Sequence, residues 1–115
     1  MKLKVCGITL QAQLNQLIEL NVDMVGLNFY PKSPRYLDHE LTSDQKAIIR
    51  VGVFVNEDFE NINQITRAHK LDMLQLHGEE SVEFCREASE FKPVIKAFGL
   101  HNDFDFKGLS EYEPY

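Results

Sequence analysis

Apolar and polar positions along this chain follow two alternating periods. Apolar, β-branched runs end near Cys6, Asn28, Val55, His77 and Gly99, at intervals of 22, 27, 22 and 22 residues. Between those runs, apolar residues recur at helical spacing. A strand, a helix and two short loops need about that many residues. The pattern therefore predicts five consecutive βα units, with parallel strands joined by right-handed crossovers.

The first strand carries Leu3 and Val5 and is broken by Gly7. Thr9 is expected to cap a helix from Thr9 to Leu20, with Leu10, Leu14, Leu17 and Ile18 on one face and Asn21 as a left-handed stop. The second strand, Asp23 to Phe29, is almost wholly apolar, as expected when both faces are covered. Two prolines make the segment from Tyr30 to Tyr36 a loop. A short helix is predicted from Ser43 to Ile49 and a third strand from Val51 to Val55. Asn56 or Asp58 would cap a helix whose inner stripe is Phe59, Ile62, Ile65 and Ala68. The fourth strand runs from Met73 to His77, and a helix from Glu80 to Glu90 buries Val82, Phe84, Cys85 and Ala88. Val94 to Phe98 forms the fifth strand. The stretch from His101 to Tyr115 has a weak helical pattern.

Five βα units fit an open doubly wound sheet or the first part of an eight-stranded barrel. A dinucleotide-binding sheet would carry Gly-x-Gly-x-x-Gly after its first strand. Here that turn reads Cys6-Gly7-Ile8-Thr9. The barrel is favoured, as a single partial barrel domain over residues 1–115. Composition adds exclusions. A net charge of −6, with both signs interspersed, argues against nucleic acid as partner. No apolar run approaches the ~18 residues of a membrane span. Two cysteines without a Cys-x-x-Cys, and four histidines without ligand spacing, point to free thiols, no metal site and a cytoplasmic setting.

In parallel α/β folds, ligands bind at the C-terminal ends of the strands. The polar residues there are Cys6, Asn28, Arg35, Asn56, Gln75 and His77. Cys6, at a strand-to-helix turn, is a candidate nucleophile or general base, set against a buried small hydrophobe. Cys85, beside Phe84 in mid-helix, reads as core. Arg35, on a proline-stiffened loop, suits a carboxylate or phosphate, set against a solvated cation; Lys32 is the weaker choice. His77 can orient a substrate or move a proton, or simply bond loop backbone. Gln75, two residues earlier, faces the same side. His39, His69 and His101 are expected to be solvated. Asp38, Glu57, Asp58, Glu79 and Glu80 follow strand ends without an evident titrating partner.

Four motifs occur in order: Lys4-Val5-Cys6-Gly7-Ile8-Thr9, Val25-Gly26-Leu27-Asn28-Phe29-Tyr30-Pro31-Lys32-Ser33-Pro34-Arg35-Tyr36, Val51-Gly52-Val53-Phe54-Val55-Asn56 and Leu74-Gln75-Leu76-His77-Gly78-Glu79. Together they resemble the phosphoribosylanthranilate isomerase family of tryptophan biosynthesis. That resemblance implies a (βα)8 TIM barrel and an Amadori rearrangement of N-(5-phosphoribosyl)anthranilate to the 1-deoxyribulose 5-phosphate isomer. It implies a sugar-phosphate substrate, no cofactor, and a monomer or homodimer when complete. By the same resemblance, Cys6 matches the general base, Arg35 the residue engaging the anthranilate carboxylate, and His77 with Gln75 the polar end of the fourth strand. The family's general acid, an Asp ending the sixth strand, and its phosphate site after the seventh and eighth strands would follow Tyr115. The stretch from Leu41 to Arg50 is short for the family's second helix. The alternatives are a non-catalytic partial barrel that binds a sugar phosphate or pairs with another chain, and a thiol redox protein built on Cys6.

Overall fold

The computed structural model describes residues 2–41 and 48–98. Five strands are present among them: β1 (Lys4–Cys6), β2 (Met24–Asn28), β3 (Ile49–Phe54), β4 (Met73–Leu76) and β5 (Val94–Lys96). The described residues between them form three helices: α1 (Gln11–Glu19), α2 (Phe59–His69) and α3 (Val82–Phe91). The strands form one sheet in the order β1-β2-β3-β4-β5, and every pairing is parallel.

This order decides between the two architectures. A doubly wound sheet reverses direction at a switch point, whereas a barrel adds each strand on the same side of the last. Here the order never reverses, as the barrel reading requires. The sheet also curls. Lys4 Nζ on β1 donates to Gln75 Oε1 on β4, three strands away. Neighbouring strands lie ~4.8 Å apart, and side chains stand roughly perpendicular to a sheet. On a flat sheet these two would stand about 14 Å apart, so the contact reflects curvature about a concave face.

Strand alternation sorts the residues between the two faces. Val25, Leu27, Phe54, Leu74 and Leu76 point outward and are buried beneath the helices. Leu14 of α1, Ile62 of α2, and Cys85 and Ala88 of α3 meet them there with no exposed surface. Burying a side chain such as Leu14 or Ile62 contributes about 1.5–3 kcal/mol. Cys6, Gly26, Val51 and Met73 pair in register on the concave face, as do Asn28, Val53, Gln75 and Ile95.

Local expectations hold with several corrections. Asn21 takes the left-handed conformation expected of a stop, with φ 57°. Leu10, not Thr9, is the N-cap of α1, and Gln13 Oε1 accepts from the N–H groups of both Thr9 and Leu10. A glutamine reaching back from the first turn replaces the expected threonine. Leu10 is consequently outside the helix and 57% exposed rather than part of its inner face. Ile49 opens β3 instead of closing a helix, because it pairs with Met24; the rest of that expected helix, residues 43–47, lies outside the described residues, while Ile48 is buried.

Asp58 is the α2 cap, accepting from Asn61 N–H at 2.8 Å. Thr66 rather than Ala68 completes the inward face of α2; its hydroxyl is satisfied by donating to Ile62 O at 2.7 Å. Ser81 caps α3, which leaves Glu80 before the helix. β5 ends at Lys96, short of Phe98. Gly99 and the stretch from His101 to Tyr115 lie outside the described residues.

Candidate active site

The C-terminal strand ends open onto a cleft of about 420 Å³ on the concave face. Cys6 reaches it from β1, Asn28 from β2, Val53 from β3 with Val55 just past its end, and Gln75 from β4 with His77 just past its end. Alternation explains the grouping. Gln75 and His77 are two residues apart and share a face, and the parallel register sets Gln75 beside Val53 and Cys6 beside Gly26.

Cys6 is a free, exposed thiol. The turn after it is tight. Gly7 has φ 78° and donates its N–H to Gly26 O at 2.9 Å. A side chain at position 7 would be strained at that φ, and its Cβ would lie 2.6 Å from Arg35 Cδ. Arg35 thus crosses over Gly7. It opens a second cavity of about 230 Å³ with Cys6, Ile8 and Leu17, on the α1 side of the turn. Cys6 and Gly7 border both cavities, so Arg35 and His77 approach the thiol from different sides. The α1 helix starts only at Gln11, so its N-terminus does not directly follow Cys6 as expected from sequence.

The loop before Arg35 is held by short-range bonds. Asn28 Oδ1 accepts from Tyr30 N–H at 2.8 Å, so part of its side chain's hydrogen bonding serves the loop. Ser33 N–H donates to Tyr30 O, Tyr36 N–H to Ser33 O, and Arg35 N–H to Ser33 Oγ. The chain then returns to pair Tyr36 with Asn28. Tyr30 and Ser33 line the main cleft from this loop, a contribution that strand-end reasoning does not reveal.

Asn56 sits elsewhere. With φ 50°, it accepts from Glu79 N–H at 2.6 Å through Oδ1, tying two turns together rather than facing the cleft. Three further expectations are corrected. Glu80 does have a titrating partner: it forms a buried ion pair with Lys96, Nζ to Oε1 3.2 Å. His69 is half-buried rather than freely solvated. Its ring stacks edge-on against Phe29, with centroids 4.7 Å apart, and burial pushes its pKa below the ordinary 6.5. Asp38 also has a titrating partner: exposed His39 lies with Nδ1 2.9 Å from Asp38 Oδ1, and hydrogen bonding to His39 lowers the Asp38 pKa. Burial raises the pKa of Cys85, in keeping with a core thiol.

Lys4 was also missed, although period-two alternation could have found it, since it shares the face of Cys6. Its bond to Gln75 turns that amide toward β1.

A parallel sheet wound in one direction, with a cleft at the C-terminal strand ends, defines a βα-barrel protein. The sequence carries that assignment to a family. A family model described as N-(5'phosphoribosyl)anthranilate (PRA) isomerase matches residues 3–114. The chain belongs to this family. The N-(5'-phosphoribosyl)anthranilate isomerase of Thermotoga petrophila is 39% identical, over 99% of this chain and 58% of the relative. The crystal structure of the Thermotoga maritima phosphoribosyl anthranilate isomerase superposes with a TM-score of 0.87 at 37% identity, covering 100% of this chain and 58% of that one. A phosphoribosyl anthranilate isomerase in complex with reduced 1-(o-carboxyphenylamino)-1-deoxyribulose 5-phosphate also gives 0.87, at 36% identity and covering 100% and 62%. The chain therefore spans somewhat over half the length of the relatives it matches.

Proposed function

We propose that this chain is the base-bearing part of a phosphoribosylanthranilate isomerase in tryptophan biosynthesis. The reaction is the Amadori rearrangement of N-(5-phosphoribosyl)anthranilate to 1-(2-carboxyphenylamino)-1-deoxyribulose 5-phosphate. The observation that carries the reading is the placement of a free Cys6 thiol in one cleft with Gln75 and His77. Moving a proton off a sugar carbon needs a base held against that carbon and an acid for the departing oxygen. Cys6 is the base that takes the proton from C2 of the sugar. Arg35, lying over Gly7, holds the anthranilate carboxylate bidentately. His77 and Gln75 form the polar wall on the β4 side. The ligand named in the complex of the relative has the carboxylate, sugar chain and phosphate that this reading requires.

The reading assigns the acid and the phosphate grip to elements after β5. The 115-residue chain alone is therefore expected to give no useful turnover. The test joins it, in one polypeptide, to the part of the Thermotoga maritima relative beyond the matched region. Circular dichroism verifies folding, and loss of N-(5-phosphoribosyl)anthranilate is followed optically. Turnover that Cys6→Ala nearly abolishes is the expected result. A folded chimaera without turnover, or a Cys6→Ala variant with full turnover, overturns the proposal.

A further inference from the structure

The C-terminal ends of β3, β4 and β5 are joined by a buried ion pair that the chemistry above does not use. The side chains of Lys96 and Glu80 are 7% and 3% exposed. Lys96 Nζ donates to the carbonyl oxygens of Gly78 at 2.7 Å, Ala97 at 3.0 Å and, more weakly, Leu76 at 3.4 Å. Glu80 accepts from two backbone N–H groups, Gly78 at 2.9 Å and Asn56 at 2.8 Å. His77 N–H donates to Phe54 O at 2.9 Å. The carbonyls on both sides of His77, its own N–H and the N–H that follows it are thus engaged, while its side chain faces the cleft.

A buried ion pair is an inefficient source of stability, because desolvation offsets the attraction. An ammonium has three donors in a compact head. Set between the carbonyls that flank one residue, it defines where that residue sits. We propose that Glu80 and Lys96 are positioning residues that hold the β4–α3 turn so that His77 meets the substrate. The clamp stands on geometry alone; the identity of the substrate rests on the isomerase reading. The closeness of the turn agrees with this. A Cβ at Gly78 would lie 2.5 Å from Asn56 Oδ1 and 2.8 Å from Asn56 N, so a side chain there would displace backbone.

The test is the double variant Glu80→Gln with Lys96→Met, which removes both charges and leaves an amide oxygen for the N–H groups. Hydrogen exchange on the chain itself reads the clamp. Amides of His77 and Gly78 are expected to exchange at least about tenfold faster, with those of β2 unchanged. Cys6 should react with a thiol reagent at the wild-type rate, since β1 is remote from the change. In the chimaera, KM is expected to rise about fivefold or more while kcat changes much less. Glu80→Gln alone keeps Lys96 and its backbone bonds, and should move each readout part of the way. Unchanged exchange at Gly78 overturns the clamp; faster exchange with an unchanged KM overturns its role toward substrate. A parent chimaera without turnover refutes the isomerase reading, and the exchange result still decides the clamp.

Discussion

Gly26→Ala probes the site most directly. Gly26 pairs with Cys6 across the β1–β2 ladder. A Cβ placed there would lie 3.0 Å from Cys6 Sγ, 3.2 Å from its Cα and 3.3 Å from its Cβ. Ordinary contacts lie near 3.5–4.0 Å, so the two strands must open by about 0.5 Å or the thiol must turn away. Two effects compete. Replacing glycine removes backbone freedom from the unfolded chain, a gain of about 0.4–1 kcal/mol. Overpacking costs about 1–3 kcal/mol. The Sγ can rotate, but the Cα cannot, and β2 holds β1 through Met24 N–H to Leu3 O and Gly7 N–H to Gly26 O. The cost wins, at about 1 kcal/mol net, because the three-residue β1 can yield a little. In a domain of this size that lowers Tm by about 4 °C. Two thiols of opposite exposure make the local effect readable, since Cys6 is exposed and Cys85 buried. The added methyl narrows approach to Sγ, so the fast thiol phase should slow by about threefold. In the chimaera, moving the base by half an ångström should lower kcat/KM at least tenfold. A double-mutant cycle with Cys6→Ala isolates the share owed to the sulfur, expected at about 0.5 kcal/mol or more. Unchanged melting together with an unchanged fast phase would refute the close packing of Gly26 against Cys6.

Two further predictions concern stability. The His69 pKa is lowered by burial, so the folded state binds fewer protons than the unfolded state just below the ordinary 6.5. Stability owed to the neutral ring is fully present above 6.5 and is lost as pH falls from there through the folded pKa; urea titrations of wild type and His69→Phe from pH 7.5 to 5 should diverge, with wild type weakening more, and parallel curves would refute it. Arg50 is 4% exposed and donates through Nη1 to Leu41 O at 2.8 Å and His69 O at 3.0 Å. Arg50→Met should cost about 2–3 kcal/mol in urea unfolding while leaving the Cys6 thiol rate unchanged, and a loss below half a kcal/mol would show those bonds to be dispensable.

What the sequence made legible depended on the range of the physics involved. Local periodicity operates over a few residues: alternation placed Gln75 and His77 together, and helical spacing placed Cys85 in the core. The spacing of the apolar runs gave the five βα units, and the turn Cys6-Gly7-Ile8-Thr9, without a glycine triplet, favoured the barrel order. The misplaced features needed information from farther away. Ile49 begins a strand because Met24 pairs with it, which no window around residue 49 contains. Glu80 seemed unpartnered because Lys96 approaches it only once β4 and β5 are in register. His69 is covered by Phe29, forty residues earlier in the chain. Arg35 was expected at the site and lies beside Cys6, but over Gly7 on the α1 side rather than in the cleft with His77. Its direction follows from the turns after Asn28, which two prolines alone do not specify. Thr9 failed as a cap because Gln13 bonds the same stretch of backbone from inside the helix.

The one-way strand order also bears on how the chain comes to exist. Every strand among the described residues pairs only with the strand just before or after it in sequence. Among the described strands, each finds a partner in its immediate neighbour in sequence. Once a strand and its crossover helix have left the ribosome, the partner edge is already present. Closing each pair requires bridging only one βα unit, a short loop in entropic terms. Assembly can thus proceed from N- to C-terminus at the pace of translation. Among these strands the order of synthesis is the order of the sheet: the turn bearing Cys6 is made before β2, which arrives next to hold it.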